Sequence, residues 1–362
     1  MWRVRMVRKL MIFGAQATAV AAGAALRGLG YELAGYLVTA SAGNPSEIAG
    51  VPVQDLAACA GALSEEQRAA VMVLLAVPEN VQATIEETLD AAGFVHHQRL
   101  DSDRWAQLMS FYYARQGRFM PLDAYPVGDE RARLAVYMTT FYRDKKLQQE
   151  YLPPAWCYPL QVGMEVSPKK IHLLTDDQGE NISAKNGNYS ELTGLYWLWQ
   201  NALPKSPAQY MGLVHYRRVL VLSEDDQRRL MLNDIDVVLP YPMMYWPDVS
   251  EHHKRYLKPV DWQALERALQ ELSPEYAQAL PQVMRQRYFY NYNIVLAKKQ
   301  VLADYCAWLF PILERIEELS VPRGSERHDR YIGYMGETLC TLYFLCNQKK
   351  YRIAHTECKL LV

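Results

Sequence analysis

The sequence predicts an α/β protein of two domains, a Rossmann-like parallel-sheet domain followed by a second α/β domain. Three observations carry this. Short apolar runs alternate with helical periodicities through the first 115 or so residues. A tract rich in Pro, Gly and charge, GRFMPLDAYPVGDERAR, then breaks the pattern, and a second alternating series follows. The domains are accordingly placed at residues 1–120 and 132–362. A chain of 362 residues, 50% hydrophobic, can bury a core in each.

In the first domain KLMIFG reads as a strand, ATAVAAGAALRGLG as an alanine-rich helix, YELAGYLVT as a second strand and VMVLLAV as a third. The helix VPENVQATIEETLDAAG, the strand FVHHQRL and the helix SDRWAQLMSFYYARQ complete it. Strands separated by helices need crossover connections, hence a parallel sheet. The turn Gly14 to Ala19 occupies the place of the dinucleotide fingerprint G-x-G-x-x-G/A. Gln16 stands where a second glycine would let the backbone approach a pyrophosphate, and the second strand ends at Val38-Thr39 rather than at a ribose-binding acid. Both departures weigh against NAD, leaving a domain that holds another small ligand or serves packing.

The segment ending in Ala15-Gln16-Ala17 imitates a signal peptide, but its apolar core, LMIF, is too short for one. No run of about 18 apolar residues occurs, so no transmembrane helix is expected and any membrane contact would be peripheral. The scattered Cys59, Cys157, Cys306, Cys340, Cys346 and Cys358 read as reduced thiols of a cytoplasmic protein. With 39 Lys and Arg against 40 Asp and Glu, a broadly basic nucleic-acid binder is disfavoured. The aromatics, 25 Tyr and 8 Trp against 8 Phe, suit partly wet clefts and sugar faces as well as interfaces.

In the second domain RLAVYMTT reads as a strand, EYLPPAWCYPLQVG as a long loop and KKIHLLT as a strand end. YMGLVHYRRVLV, NDIDVVLP and YFYNYNIVLAKK are strand-like, while residues 261–280, VLADYCAWLFPILERIEEL and GYMGETLCTLYFLCNQKK are helical. In NISAKNGNYSELTGLYWLWQN, residues Leu192, Leu195, Tyr196 and Trp199 form the apolar face of a buried helix. Asn188-Tyr189-Ser190-Glu191 fits an N-x-x-E cap, so Glu191 has a capping reading beside a catalytic one. The loop ahead crowds Asn181, Ser183, Lys185 and Asn186 against a helix start, where anions bind.

In GLVHYRR, His215 should point with Met211 and Leu213, and Arg217 and Arg218 emerge at the strand's carboxyl end. Adjacent guanidiniums repel, and either a carboxylate or a bound phosphate would compensate them. Asp234-Ile235-Asp236 is a D-x-D that could share a divalent metal with a diphosphate, although it begins its strand; Asp176-Asp177, after KIHLLT, is the comparable candidate. Asn291 and Asn293 lie in an aromatic strand and need partners if buried. Glu337 opens an apolar helix, either complementing its dipole or serving as a general base.

Taken together, NIS-x-KN, Y-x-ELT-x-LYW-x-W-x-N, GL-x-HYRR, N-x-N-I-V and GY-x-x-E-x-L resemble a bacterial domain family of unknown function. That family is found in capsular and exopolysaccharide biosynthesis loci and is assigned to glycosyltransferases. The resemblance runs from Arg133 to the C-terminus, about two thirds of the chain, with Asn181–Asn201 and Gly212–Arg218 its specific blocks. It implies a GT-A-like fold, a nucleotide-sugar donor (a UDP-sugar favoured) and a saccharide or lipid-linked saccharide acceptor, used at the inner membrane face. It further implies that Arg217 and Arg218 neutralise the leaving diphosphate without a metal and that Lys185, Asn186, His215, Asn293 and Asn181 bind donor. Glu337 is then the base of a hexosyl transfer with inversion. VYMTTFYRD departs from the family by lacking a histidine-lysine pair after its strand, and GLVHYRR by lacking a cysteine before the histidine. Mn²⁺ or Mg²⁺ dependence stays open. The rival readings are an NAD(P)-dependent sugar-nucleotide oxidoreductase or epimerase and a non-catalytic scaffold of a polysaccharide assembly complex.

Overall fold

The computed structural model of the chain describes residues 9–147 and 150–361. It divides into two compact units, one formed by the chain up to Gln116 with Met243–Asp248, the other by Gly117–Pro242 and Val249–Val362. The tract expected as a linker belongs to the second unit, because Leu122 and Ala132 are buried in the same core as Leu134 and Val136.

The first unit is Rossmann-like. Its strands are β1 (Lys9–Phe13), β2 (Leu33–Val38), β3 (Glu47–Ile48), β4 (Val51–Asp55), β5 (Val71–Leu75) and β6 (His97–Arg99), in the order β3-β4-β2-β1-β5-β6. All neighbours are parallel except the edge pair β3–β4. Leu37, Val73, Leu75, Leu89 and Phe94 are its fully buried centre. Gly14 leaves β1 at φ +123°, and a Cβ there would lie 2.8 Å from the Ala76 carbonyl oxygen, so no other residue fits that turn. Strand β4 was not predicted: VPVQD is short, carries a proline and shows mixed burial, which erases the apolar run expected of a parallel strand.

The second unit is GT-A-like. Strands β7 (Leu134–Thr140), β8 (Cys157–Gln161) and β9 (Tyr210–His215) are parallel, with β7 in the middle. Strand β9 continues the sheet antiparallel to Val295–Lys298, which pairs with β11 (Val237–Pro240), which in turn pairs parallel with Ile353–Thr356. Gly212 permits this packing, since a Cβ there would stand 2.1 Å from the Val295 carbonyl oxygen. β10 (Arg218–Leu220) folds back on β9 and pairs with Cys358–Leu360.

Three sequence expectations change. β8 comes from the segment expected as a long loop. KKIHLLT is not a strand: Leu173 is 96% exposed, and the loop is instead tied by buried Gln161, whose amide donates to the Lys169 carbonyl at 2.8 Å and accepts from the Ile171 N–H at 2.6 Å. YMGLVHYRRVLV is a hairpin rather than one strand, with Tyr216 and Arg217 at its tip and His215 paired to Arg218.

Under the sheet His355 is buried, its Nε2 2.8 Å from the Tyr290 hydroxyl and its ring stacked on Tyr290. Burial pushes its pKa from 6.5 down to about 3. The folded state therefore resists a proton that the unfolded chain takes up near pH 6.5, so stability is fully present above that pH and is lost as pH falls towards 3. At pH 5 this single group costs about 2 kcal/mol. Urea denaturation of wild type and His355→Gln at pH 7.5 and pH 5 should show that part of the pH slope vanishing in the variant; an unchanged slope would refute the assignment.

Candidate active site

A cleft of about 550 Å³ opens in the second unit at the carboxyl ends of β7, β8 and β9. Ligands of α/β sheets bind at that edge because strand exits and helix starts converge there. Each wall follows from local sequence. The exit of β7 turns sharply as Asp144 Oδ2 accepts the Phe141 N–H at 2.6 Å, and this turn carries Arg143 and Asp144 into the cleft. The exit of β9 supplies His215 and Tyr216.

The floor is the segment NGNYSE. A four-residue helix, Asn186–Tyr189, is broken at Ser190, whose φ is +50°, before the helix Leu192–Trp197 begins. Asn186 holds the break by donating to the Ser190 carbonyl at 2.8 Å and to Thr193 Oγ1 at 3.2 Å. The capping reading of Asn188 and Glu191 is not realised. Asn188 donates to the Arg327 carbonyl at 2.6 Å and accepts the Asp329 N–H at 3.2 Å, clamping a different loop. Glu191 makes no cap hydrogen bond; its Oε1 accepts from Asn293 Nδ2 at 2.7 Å and lies 4.0 Å from His215 Nε2. The clamped loop delivers His328 and Arg330 to the fourth wall. Gly187 is required there, since a Cβ would stand 2.5 Å from His328 Nδ1. Arg330 donates through Nε to Ser190 Oγ at 2.9 Å.

Electrostatically the cleft is a positive rim around two carboxylates. Arg143, Arg217 and Arg330 make no ion pair among the described residues. Burial raises the Asp144 pKa, opposed by the Phe141 N–H and by the charges of Arg330 and Arg217. Burial lowers the His215 pKa, opposed by Glu191, so the imidazole is held neutral; its Nε2 is buried without a hydrogen-bond partner.

Of the residues expected from sequence, Asn186 and His215 line this cleft, and Arg217 stands at the hairpin tip within electrostatic reach of Asp144. Asn293 acts from behind, donating to Glu191 and to the Gly333 carbonyl at 3.0 Å, with Tyr292 and Asn293 both at positive φ in a turn rather than a strand. Arg218 lies on the return strand with its guanidinium 3.9 Å from the centroid of the Tyr292 ring. Lys185 is turned away, its ammonium 2.6 Å from Glu317 Oε2, and Asn181 staples its own turn through the Asp177 and Gly179 carbonyls. Glu337 neither lines the cleft nor opens its helix, which begins at Tyr331 with no acid in its first turn: it is 7% exposed, accepts the Tyr292 N–H at 2.9 Å, and its other oxygen is 2.9 Å from His252 Nε2.

The acidic pairs do not fit a metal. Asp176 is buried and saturated by the Gly163 and Met164 N–H groups and Ser183 Oγ, and Asp177 accepts from Thr175 Oγ1. Asp234 and Asp236 both bind Lys298 at the other end of the sheet's β11. Among the described residues no three His, Cys, Asp or Glu side chains are placed to hold a metal ion. Sequence reasoning missed Arg143, Asp144 and Arg330. The first two were legible as an Arg-Asp pair directly after a strand; Arg330 carried no signal beyond standing before an apolar helix.

The second unit thus combines a GT-A-like sheet with an arginine-rimmed cleft at its carboxyl edge. The chain belongs to the family described as a domain of unknown function, DUF4422, whose model matches residues 140–349. It is similar to the apo structure of the bifunctional glycosyltransferase WbbM, at 25% identity and a TM-score of 0.52, over 63% of this chain and 45% of that one. This chain therefore spans less than half the length of that protein. No curated protein matches it. Among the described residues no helix is long and apolar enough to cross a membrane.

Proposed function

We propose that the chain is a glycosyltransferase that moves a hexosyl group from a nucleotide sugar, a UDP-sugar by preference, to a saccharide or lipid-linked saccharide acceptor in the synthesis of a capsular or exopolysaccharide at the inner membrane face. The observation that carries this reading is the convergence, at the carboxyl edge of β7 and β9, of Arg143, Arg217 and Arg330 without carboxylate partners around Asp144 and Glu191. Guanidiniums that make no ion pair among the described residues, gathered around a concave site, match a diphosphate in charge and in fork geometry. Similarity to a glycosyltransferase supports the same reading.

Transfer breaks the bond between the anomeric carbon and the diphosphate oxygen, and the bonding electrons leave with the diphosphate. Arg330, whose Nε is already anchored on Ser190, turns its remaining N–H groups to that developing charge, assisted by Arg143 and Arg217. The acceptor hydroxyl oxygen forms the new bond and its proton passes to Glu191. Asn293 fixes Glu191 Oε1, leaving Oε2 to take the proton. Neutral His215, with a buried unpartnered Nε2, orients a sugar hydroxyl or phosphate oxygen. One such displacement inverts the anomeric centre. Glu337, given the base role by resemblance, becomes the support that holds the Tyr292 turn.

Calorimetric titration with UDP-sugars and other nucleotide sugars, in EDTA and in Mn²⁺, tests the reading. One donor should bind wild type, and Arg330→Ala should weaken it roughly 10- to 100-fold, the loss of a charged hydrogen bond to phosphate. If no nucleotide sugar binds under either condition, or if only NAD(P) does, the proposal is wrong.

A further inference from the structure

A second concavity of about 580 Å³ lies on the same face of the sheet, nearer the start of β7. Tyr137 and Tyr158 are register partners on β7 and β8, with ring centroids 5.7 Å apart. Trp197 meets Tyr137 edge-on at 5.8 Å, and its indole is locked by an N–H donated to the Gln178 carbonyl at 2.8 Å. Tyr158 is 44% exposed, Tyr137 is partly exposed and Trp197 is 7% exposed, so the group is a floor with two rings reaching the surface. The helix beside it widens to a π-helix at Leu198–Ala202, a distortion frequent at functional sites, and Asn201 and Ala202 of that stretch line the concavity. Tyr137, Tyr158, Gln178 and Lys205 line the space, and their side-chain polar groups make no hydrogen bond to a described residue.

Rings with free hydroxyls, an amide and one ammonium around a cleft suit a ligand that presents C–H faces and many hydroxyls at once, which is the chemistry of a sugar ring. A protein partner would favour a flatter, more apolar patch. Tyr137 and Thr139 point to the same side of β7, and Thr139 already lines the catalytic cleft, so the two sites are on the order of 7 Å apart along the strand. That spacing is about one to two sugar rings. We infer that the Tyr137–Tyr158–Trp197 concavity is a saccharide subsite that grips the acceptor chain away from the reacting hydroxyl. The inference rests on the transferase reading for its biological purpose, but the binding itself does not require turnover.

The test is saturation-transfer NMR and titration with galacto-, gluco- and manno-oligosaccharides of two to six residues, on wild type, Tyr158→Ala, Tyr158→Trp and Arg330→Ala. Tyr158 is exposed, so its replacement should leave the fold intact, which circular dichroism checks. Wild type is expected to bind at least one of these chains, Tyr158→Ala to lose at least tenfold in affinity, Tyr158→Trp to retain it, and Arg330→Ala to bind sugar normally while failing on donor. If no chain in the panel binds wild type, or if Tyr158→Ala binds as well as wild type, the subsite is overturned. Binding that Arg330→Ala abolishes would place the sugar in the catalytic cleft, overturning the subsite and leaving the transferase reading standing. A change of oligomeric state in Tyr158→Ala, without loss of sugar, would mark a protein interface and likewise overturn it. Conversely, sugar binding at this face with no donor binding anywhere would sink the transferase and keep the subsite.

Discussion

Glu191→Gln lowers single-turnover transfer by a factor on the order of 10² to 10⁴ and leaves donor affinity within a few-fold. The substitution is nearly isosteric. A glutamine carbonyl can still accept from Asn293 Nδ2, so the break at Ser190 and the start of the following helix should survive. What disappears is a cleft-lining carboxylate, held by Asn293 through Oε1, whose Oε2 accepts no hydrogen bond among the described residues. Glu337→Gln is the informative contrast. Its carboxylate faces the Tyr292 N–H and His252, so the amide should disturb the turn that carries Asn293 and reduce turnover less than Glu191→Gln does. Rapid-quench measurement of transfer at saturating donor separates the two, because binding losses no longer enter. Full activity in Glu191→Gln with none in Glu337→Gln would restore the base to Glu337, inside the helix Tyr331–Cys346, and refute the assignment made from the cleft. Asp144→Asn adds a third point. Burial raises its pKa, so the negative charge it sets beside Arg330 and Arg217 is lost on the acid side, and the variant should lose that contribution to the pH dependence of donor affinity.

How much of this was readable in the sequence depends on where local pattern and tertiary demand agree. β1, β2, β5 and β7 are apolar runs buried on both faces, and such runs announce themselves. β8 was hidden because its pairing partner, not its own composition, makes it a strand: CYPLQ has a proline, and its exposed Tyr158 breaks the run. The strand expected at KKIHLLT failed for the complementary reason, since a buried glutamine satisfied that backbone from the side and left Leu173 in solvent. At the site, residue types were legible and directions were not. YRR was visible as excess positive charge, but a two-residue hairpin splits it, sending Arg218 onto the Tyr292 ring and leaving Arg217 at the tip. Lys185 and Asp234 looked like ligand-binding charges until Glu317 and Lys298 were found beside them; those partners lie 132 and 64 residues away in sequence, beyond any local pattern.

Asp261→Asn should cost about 1–3 kcal/mol of stability and also weaken donor binding, although Asp261 does not line the cleft. Arg327 forks onto Asp261 at 2.5 and 2.9 Å and reaches Asp329 at 2.6 Å, with Asp261 fully buried and Arg327 7% exposed. Removing the fully buried charge leaves the guanidinium balanced only by Asp329, whose side chain is 42% exposed. The same Arg327 offers its carbonyl to Asn188, and three residues on Arg330 adopts φ +63° to start the helix Tyr331–Cys346. The ion pair, the asparagine clamp and the left-handed turn therefore fix one loop, and that loop presents His328 and Arg330 to the donor. Stability and binding can be separated with the double variant Asp261→Leu/Arg327→Met, which removes both charges and lets apolar contacts recover much of the lost stability. If the pair positions the loop, urea denaturation will show recovery in the double variant while calorimetry still shows weakened donor binding. If donor affinity returns together with stability, the pair only stabilises the fold, and Asn188 alone sets where Arg330 points.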